Sequence, residues 1–356
     1  MTRRDWMLSC GAVCAVNGQT VHEEIRQMAA GAPLGMRFRG GSVEECRVWQ
    51  ARFRAKLDAS LGSYAVPAKW RAERVREVDC GEYRREELLL RADGERDVPV
   101  HLLVPKGRAG KRPGVLALHG HGRFGNDSVA GIDDTEERKK EIAGANYDYG
   151  RQLARRGYVV ATPCFTPFGV RLGKREDYKG EDPCAVTFAR MQLFGKVLLT
   201  ENLRDALWTL EMLAGHDAVD SRRLGCVGLS LGGRMTMMAA ALSARVRVAV
   251  VSGALNVLQE RVMGRYSCGA QIIQGLLQYG DVPEISALIA PRPCLFEVGQ
   301  KDGLMVKSWI EPALERMRPA WRAYAALEKL EVDSFDGAHR WNGVRAYPLL
   351  ESILRP

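Results

Sequence analysis

The run Gly228-Leu229-Ser230-Leu231-Gly232-Gly233 constrains this chain more than any other stretch. It follows the apolar run Leu224 to Leu229 and precedes the helix-like run Arg234 to Leu242, so the order reads strand, tight turn, helix, with a serine at the apex. A Gly-x-Ser-x-Gly turn of this kind holds its serine in a strained backbone conformation, and glycines two residues to either side let strand and helix approach closely. Ser230 then projects its hydroxyl above a sheet. A glycine-rich turn whose serine only caps the next helix has the same pattern, so the rest of the chain must decide between the two.

A serine hydroxyl is a poor nucleophile until a neighbouring base takes its proton, and that base needs an acid behind it to fix its tautomer. Both follow in the chain. Strand-like Pro293 to Val298 runs into a loop carrying Asp302, and strand-like Leu327 to Phe335 leads into a loop carrying His339. Asp333 and Asp336 also lie close to His339, but adjacent positions on a strand end and its loop rarely let a carboxylate reach the Nδ1 atom in line. The order Ser, Asp, His is the order expected of an α/β-hydrolase.

From about Val98 to the C-terminus the chain resembles serine α/β-hydrolases of the dienelactone-hydrolase-related and acetyl-xylan-esterase-like group. The resemblance rests on Leu118-His119-Gly120-His121-Gly122, on Gly225 to Gly233, on Ala290-Pro291-Arg292-Pro293 before the acid strand, and on Gly337-Ala338-His339. Dienelactone hydrolases proper carry cysteine as nucleophile. Serine at position 230 shifts the expectation from lactone opening to ordinary ester hydrolysis.

The resemblance implies an α/β-hydrolase fold: a mostly parallel, doubly wound sheet with antiparallel N-terminal strands and loop insertions over the site. It implies a Ser230, His339, Asp302 triad. Acyl transfer develops negative charge on the carbonyl oxygen, and backbone N–H groups aimed there are each worth roughly 100-fold to 1,000-fold in rate. In this fold one donor is the residue after the nucleophile, here Leu231, and the other comes from the first loop, by position His121. The substrate class implied is a short acyl or methyl ester, on a small molecule or a plant polysaccharide. An amidase or peptidase with the same triad, and a catalytically silent binding protein of this fold, are the alternatives left open.

Imidazoles two apart, as in His119 and His121, can share a metal ion. No carboxylate or third histidine follows closely enough to complete such a site, so we expect no metal and no cofactor, with His119 a structural hydrogen-bonder.

Bulk properties narrow the other classes. With 356 residues, 46% of them hydrophobic, the chain can bury a large core. Its net charge of +9 is spread as single Arg and Lys residues, with no basic helix interleaved with aromatics, so a nucleic-acid partner is not expected. No apolar run is long enough to span a membrane. Thr2-Arg3-Arg4 ahead of a short apolar stretch within Met1 to Asn17 resembles a twin-arginine export signal, with Val13-Cys14-Ala15 a rough cleavage site. Export and a cytoplasmic location both stay open, and so does the oligomeric state. The nine cysteines match no zinc spacing. Cys226 and Cys294 read as small buried hydrophobes, while Cys164 and Cys184 flank one loop and could pair in an oxidising compartment.

These readings divide the chain into an N-terminal extension, 1–40, and an α/β-hydrolase domain, 41–356. Ser42 with Glu45 forms a capping box that starts a helix over Val43 to Leu61. Arg74 to Val78, Tyr83 to Leu90 and Val98 to Val104 read as a β-meander, and Pro113 to Leu118 as a buried parallel strand. Helix-like Tyr147 to Arg156 and strand-like Tyr158 to Thr162 make a βαβ step. Pro163 to Gly195 reads as a long irregular segment over the site. Lys196 to Ala214 is a strong amphipathic helix, and Val246 to Val251 another strand. Ala254 to Asp281 reads either as a partial lid or as a packed surface excursion. Glu284 to Ile289, Trp309 to Ala326 and Arg345 to Leu354 read as further helices.

Overall fold

The computed structural model describes residues 20–107, 110–264 and 268–355. The export-signal reading of Met1 to Asn17 lies outside the described residues. Nine strands form a single sheet: β1 (Arg71–Asp79), β2 (Tyr83–Arg91), β3 (Val98–Pro105), β4 (Arg112–Leu118), β5 (Val159–Pro163), β6 (Val219–Leu229), β7 (Val246–Ser252), β8 (Cys294–Gly299) and β9 (Leu330–Phe335). Their order across the sheet is β1-β2-β3-β5-β4-β6-β7-β8-β9. The pairs from β1 to β5 by way of β3 are antiparallel, and every pair from β5 through β4 to β9 is parallel.

The twelve described α-helices are α1 (Val21–Ala30), α2 (Val43–Leu61), α3 (Asn126–Ala130), α4 (Glu136–Ala145), α5 (Tyr149–Arg155), α6 (Pro183–Gln192), α7 (Leu198–Gly215), α8 (Leu231–Leu242), α9 (Leu258–Gly264), α10 (Val282–Ala287), α11 (Lys307–Ala323) and α12 (Ala346–Leu354). Helices cover both faces of the parallel strands. That is why the central parts of these strands, such as 113–118, 224–229 and 248–251, read as unbroken apolar runs rather than alternating ones. Successive residues of β4 serve opposite faces. Leu116 and Leu118 pack into a core with Trp208, Met235 and Trp321, whereas Val115 and Ala117 pack into one with Tyr149, Leu153 and Trp341. Burying each leucine contributes about 1.5–3 kcal/mol over leaving it in water.

The edge strand β1 is exposed along nearly its whole length. Its Arg and Glu residues make ion pairs, Arg91 to Glu73 at 2.6 Å among them, and such charges discourage pairing with another chain.

Three segments differ from the sequence-based expectation. The stretch Pro163 to Gly195 is not irregular throughout, because it contains α6. The Asp182 side chain caps that helix by accepting from the Ala185 N–H at 2.7 Å, with Pro183 in the first turn. Leu327–Lys329 is a 3₁₀ turn, so β9 starts only at Leu330. Residues 254–281 contain α9 and two short 3₁₀ turns. This last segment meets the N-terminal one: α1 packs on α9, and the N–H groups of Leu34, Gly35 and Met36 donate to the carbonyls of Leu277, Gln278 and Tyr279 at 3.2, 3.0 and 2.8 Å.

Candidate active site

Ser230 stands between β6 and α8 with φ 64° and ψ −121°, a left-handed conformation that costs a non-glycine residue on the order of 1–3 kcal/mol. The neighbouring structure holds it there. The Ser230 N–H donates to the Ser252 carbonyl of β7 at 2.9 Å. A Cβ on Gly232 would lie 1.8 Å from the Leu118 carbonyl oxygen, and one on Gly228 would lie 2.4 Å from the backbone of Gly232. The two glycines are therefore what lets β4, β6 and α8 meet under the serine.

Asp302 and His339 follow β8 and β9, which run parallel to β6, so their loops emerge at the same edge of the sheet as the serine turn. His339 Nδ1 lies 2.6 Å from Asp302 Oδ2. The other oxygen, Oδ1, accepts from the Leu304 N–H at 2.8 Å. A carboxylate only accepts, so Nδ1 donates this bond, and in the neutral imidazole the lone pair is then on Nε2. Nε2 is buried and has no hydrogen-bond partner. The ring rests on Gly253, where a Cβ would lie 2.8 Å from His339 Cε1. Asp333 and Asp336 are otherwise engaged. Asp333 accepts from Asn342 Nδ2 at 2.7 Å, and Asp336 pairs with Lys301 at 2.7 Å on the surface.

Leu231 is the first residue of α8, where backbone N–H groups lack a partner within the helix. His121 lies on the loop after β4. The preceding His119 is fully buried with both ring nitrogens committed: Nδ1–H donates to the Gly120 carbonyl at 2.8 Å, and Nε2 accepts from the Phe165 N–H at 2.8 Å. Burial lowers its pKa to about 4, which keeps it neutral. His119 therefore has no nitrogen to share with a metal beside His121. The loop is also braced by Tyr147, whose hydroxyl accepts from the Gly120 N–H at 2.6 Å and which burial keeps protonated.

These groups meet at an open cavity of about 410 Å³ lined by Ser230 and His339 together with His121, Tyr147, Arg261 and Cys268. Two features of the site have no counterpart in the sequence reading. Tyr147 gives no sequence signal at all. Glu297 does give one, as a lone charged residue inside the buried strand Cys294–Gly299. Its two oxygens accept from the Gly343 and Asn342 N–H groups at 2.7 and 3.1 Å, pinning the chain just beyond His339. Burial raises its pKa to about 7.

The pairing considered for Cys164 and Cys184 does not occur. All seven described cysteines are free, and the Cys164 thiol donates to the Phe168 carbonyl at 3.2 Å. The sulfur next to Cys184 is that of Cys268. A hydrogen bond from Cys184, foremost, together with His121, favours the thiolate of Cys268 and lowers its pKa.

A mostly parallel sheet with antiparallel N-terminal strands, carrying a serine at a strand-turn-helix elbow and an Asp–His pair on two later strand-end loops, defines an α/β-hydrolase. Residues 139–339, more than half of the chain, match the model of the dienelactone hydrolase family, and the chain belongs to that family of ester hydrolases. It is 29% identical over 292 residues to YtaP of Bacillus subtilis (strain 168), a protein provisionally named a hydrolase, which covers 80% of this chain and 91% of that one. Among solved structures, a provisionally named acetyl xylan esterase from Bacteroides fragilis NCTC 9343 superposes with a TM-score of 0.74 at 17% identity, over 91% of this chain and 84% of that one. Methylesterase BT1017 follows at 0.64 and 18%, over 92% and 67% of the two chains. A glucuronoyl esterase from Solibacter usitatus gives 0.61 and 15%, over 86% and 92%. At these identities the structural likeness is one of fold.

Proposed function

We propose that this carboxylic ester hydrolase acts through an acyl-enzyme formed on Ser230. The observation that carries the reading is the unpartnered His339 Nε2, directed by the Asp302 contact at Nδ1 and lining the same cavity as the strained serine. His339 Nε2 takes the Ser230 proton as Oγ attacks the ester carbonyl carbon. The carbonyl π pair moves onto oxygen, where the N–H groups of Leu231 and His121 receive it. As the bond from the carbonyl carbon to the alcohol oxygen breaks, His339 gives the proton to that oxygen. It then deprotonates a water that attacks the acyl carbon, and returns this proton to Ser230 Oγ as the acid leaves. Asp302 holds the tautomer and stabilises the imidazolium throughout. Each step uses only side chains, backbone and water.

For the substrate, we propose a short acyl or methyl ester, carried on a carbohydrate. The support is the modest size of the cavity and the naming of structural neighbours as acetyl xylan, methyl and glucuronoyl esterases. Hydrolysis of p-nitrophenyl esters from acetate to octanoate, by wild type and Ser230→Ala, tests both parts. The expected result is fastest cleavage of acetate and a loss of about 10⁴-fold to 10⁶-fold in the variant. Equal rates in the two proteins would sink the Ser230 assignment. Faster octanoate cleavage would sink the short-acyl one, and faster turnover of a matched anilide would move the reading to an amidase.

A further inference from the structure

Three side chains that ester hydrolysis does not call for converge at the rim of the cavity. His121 comes from the loop after β4, Cys184 from the first turn of α6, and Cys268 from the segment between α9 and α10. One donor atom of each, the two thiol sulfurs and an imidazole nitrogen, lies within 4.8 Å of the others. Most buried cysteines are small hydrophobes. Cys226 and Cys294 fit that description, each alone on an apolar strand. Cys184 and Cys268 border the same apolar core, but unlike those two they also face each other and an imidazole, from three segments distant in sequence.

Two thiols and an imidazole are a soft donor set that suits Zn²⁺, with Zn–S near 2.3 Å and Zn–N near 2.0–2.1 Å. Tetrahedral angles then put the donors roughly 3.5–3.8 Å apart, so rotamer-scale shifts would close this triangle on an ion. His121 and Cys268 both line the cavity that holds Ser230. Three protein ligands leave a fourth position vacant, as in zinc sites that keep a water or substrate ligand.

We propose that His121, Cys184 and Cys268 form a Zn²⁺ site whose fourth coordination position faces the cavity and takes a water or a substrate oxygen. The ion would tie the loop bearing the His121 N–H to α6 and to the segment before α10. Ligation through the imidazole leaves the His121 backbone N–H free for its proposed role. Zn²⁺ takes both sulfurs as thiolates, so binding displaces the proton that the Cys184–Cys268 pair still shares, and affinity rises with pH. Sequence spacing hides such a site because each ligand comes from a different segment.

Cobalt titration of the untagged full-length protein, reduced and then stripped with a chelator, tests the site without reference to hydrolysis. The expected result is one Co²⁺ per chain, with a near-ultraviolet thiolate-to-cobalt charge-transfer band and the strong visible bands of tetrahedral cobalt, both bleached by one equivalent of Zn²⁺. Cys184→Ser and Cys268→Ser should each lose at least half of the charge-transfer band, and Cys226→Ser none. Weak octahedral bands alone in the wild type would overturn the proposal even if every variant failed to fold. So would an unchanged charge-transfer band in both ligand variants, or a Cys184–Cys268 disulfide as isolated whose reduced form does not bind cobalt. Because the readout is spectroscopic, failure of the zinc site and failure of the Ser230 reading are distinguishable.

Discussion

Among the described residues two histidine–aspartate pairs stand out, and they differ in what surrounds them. His339 Nδ1 sits 2.6 Å from Asp302, and His101 Nε2 sits 2.8 Å from Asp127. Each imidazole has one nitrogen left over, buried and unpartnered. Asp302, however, spends its second oxygen on a backbone N–H, whereas Asp127 spends its own on Arg138 Nη2 at 2.7 Å. The cavity beside His339 holds Ser230, while among the described residues no serine, cysteine or threonine lines the one beside His101. His101 lies on β3, separated from β6 by β5 and β4. A histidine–carboxylate contact is thus not a functional signature by itself. What distinguishes the first pair is its place on strand-end loops, at the edge of the sheet where the chain also turns sharply through a serine.

Removing one acid from each pair gives the sharpest contrast. Asp302→Asn should lower kcat for p-nitrophenyl acetate by about 10⁴-fold, since the amide favours the wrong histidine tautomer. An equal loss in Asp127→Asn would break the comparison. Gly253→Ala comes next. The added methyl lies at φ 58° and 2.8 Å from His339 Cε1, with Leu229 Cδ1 next at 3.2 Å, so it should displace that ring foremost and cost on the order of 10²-fold in kcat/KM.

Glu297 bears on the first pair through stability. Its pKa is held at about 7 against an ordinary 4.5, so the folded chain keeps a proton that the unfolded chain gives up between those values. The stability from that neutral form is complete below pH 4.5 and lost as pH rises through 7. The loss is at most on the order of 3 kcal/mol. Thermal melts from pH 5 to 8 should therefore show a downward trend in the wild type that Glu297→Gln flattens. The smallest effect belongs to the second pair. Asp127→Asn should leave ester turnover unchanged while lowering stability by about 1–3 kcal/mol, measured by denaturant unfolding, because Arg138 loses a buried charged partner.

Much of this site is legible in the sequence because its parts are local. The serine turn needs glycines at 228 and 232, Asp302 and His339 each follow a strand within a few residues, and parallel strands deliver their loops to one edge. The covering segments are less legible. The helix α6 is announced only by Asp182-Pro183, and the link from Leu34–Met36 to Leu277–Tyr279 joins distant stretches that share no pattern. Cys184 illustrates the limit. Chain proximity pointed to Cys164, but folding turned that sulfur toward the Phe168 carbonyl and brought Cys268 to Cys184 instead.

By itself, then, the sequence determined the alternation of strands and helices, the strained turn at Ser230 and the chain order of Ser230, Asp302 and His339. Periodicity, glycine geometry and strand-end loops act over a few residues and leave their mark in composition. Only the tertiary structure decided which carboxylate meets His339, which imidazole is spent on the backbone, and which thiols and hydroxyls face the cavity. Those outcomes depend on distances between segments far apart in the chain. They are set by how helices and covering segments pack on the sheet, and local pattern carries no record of that.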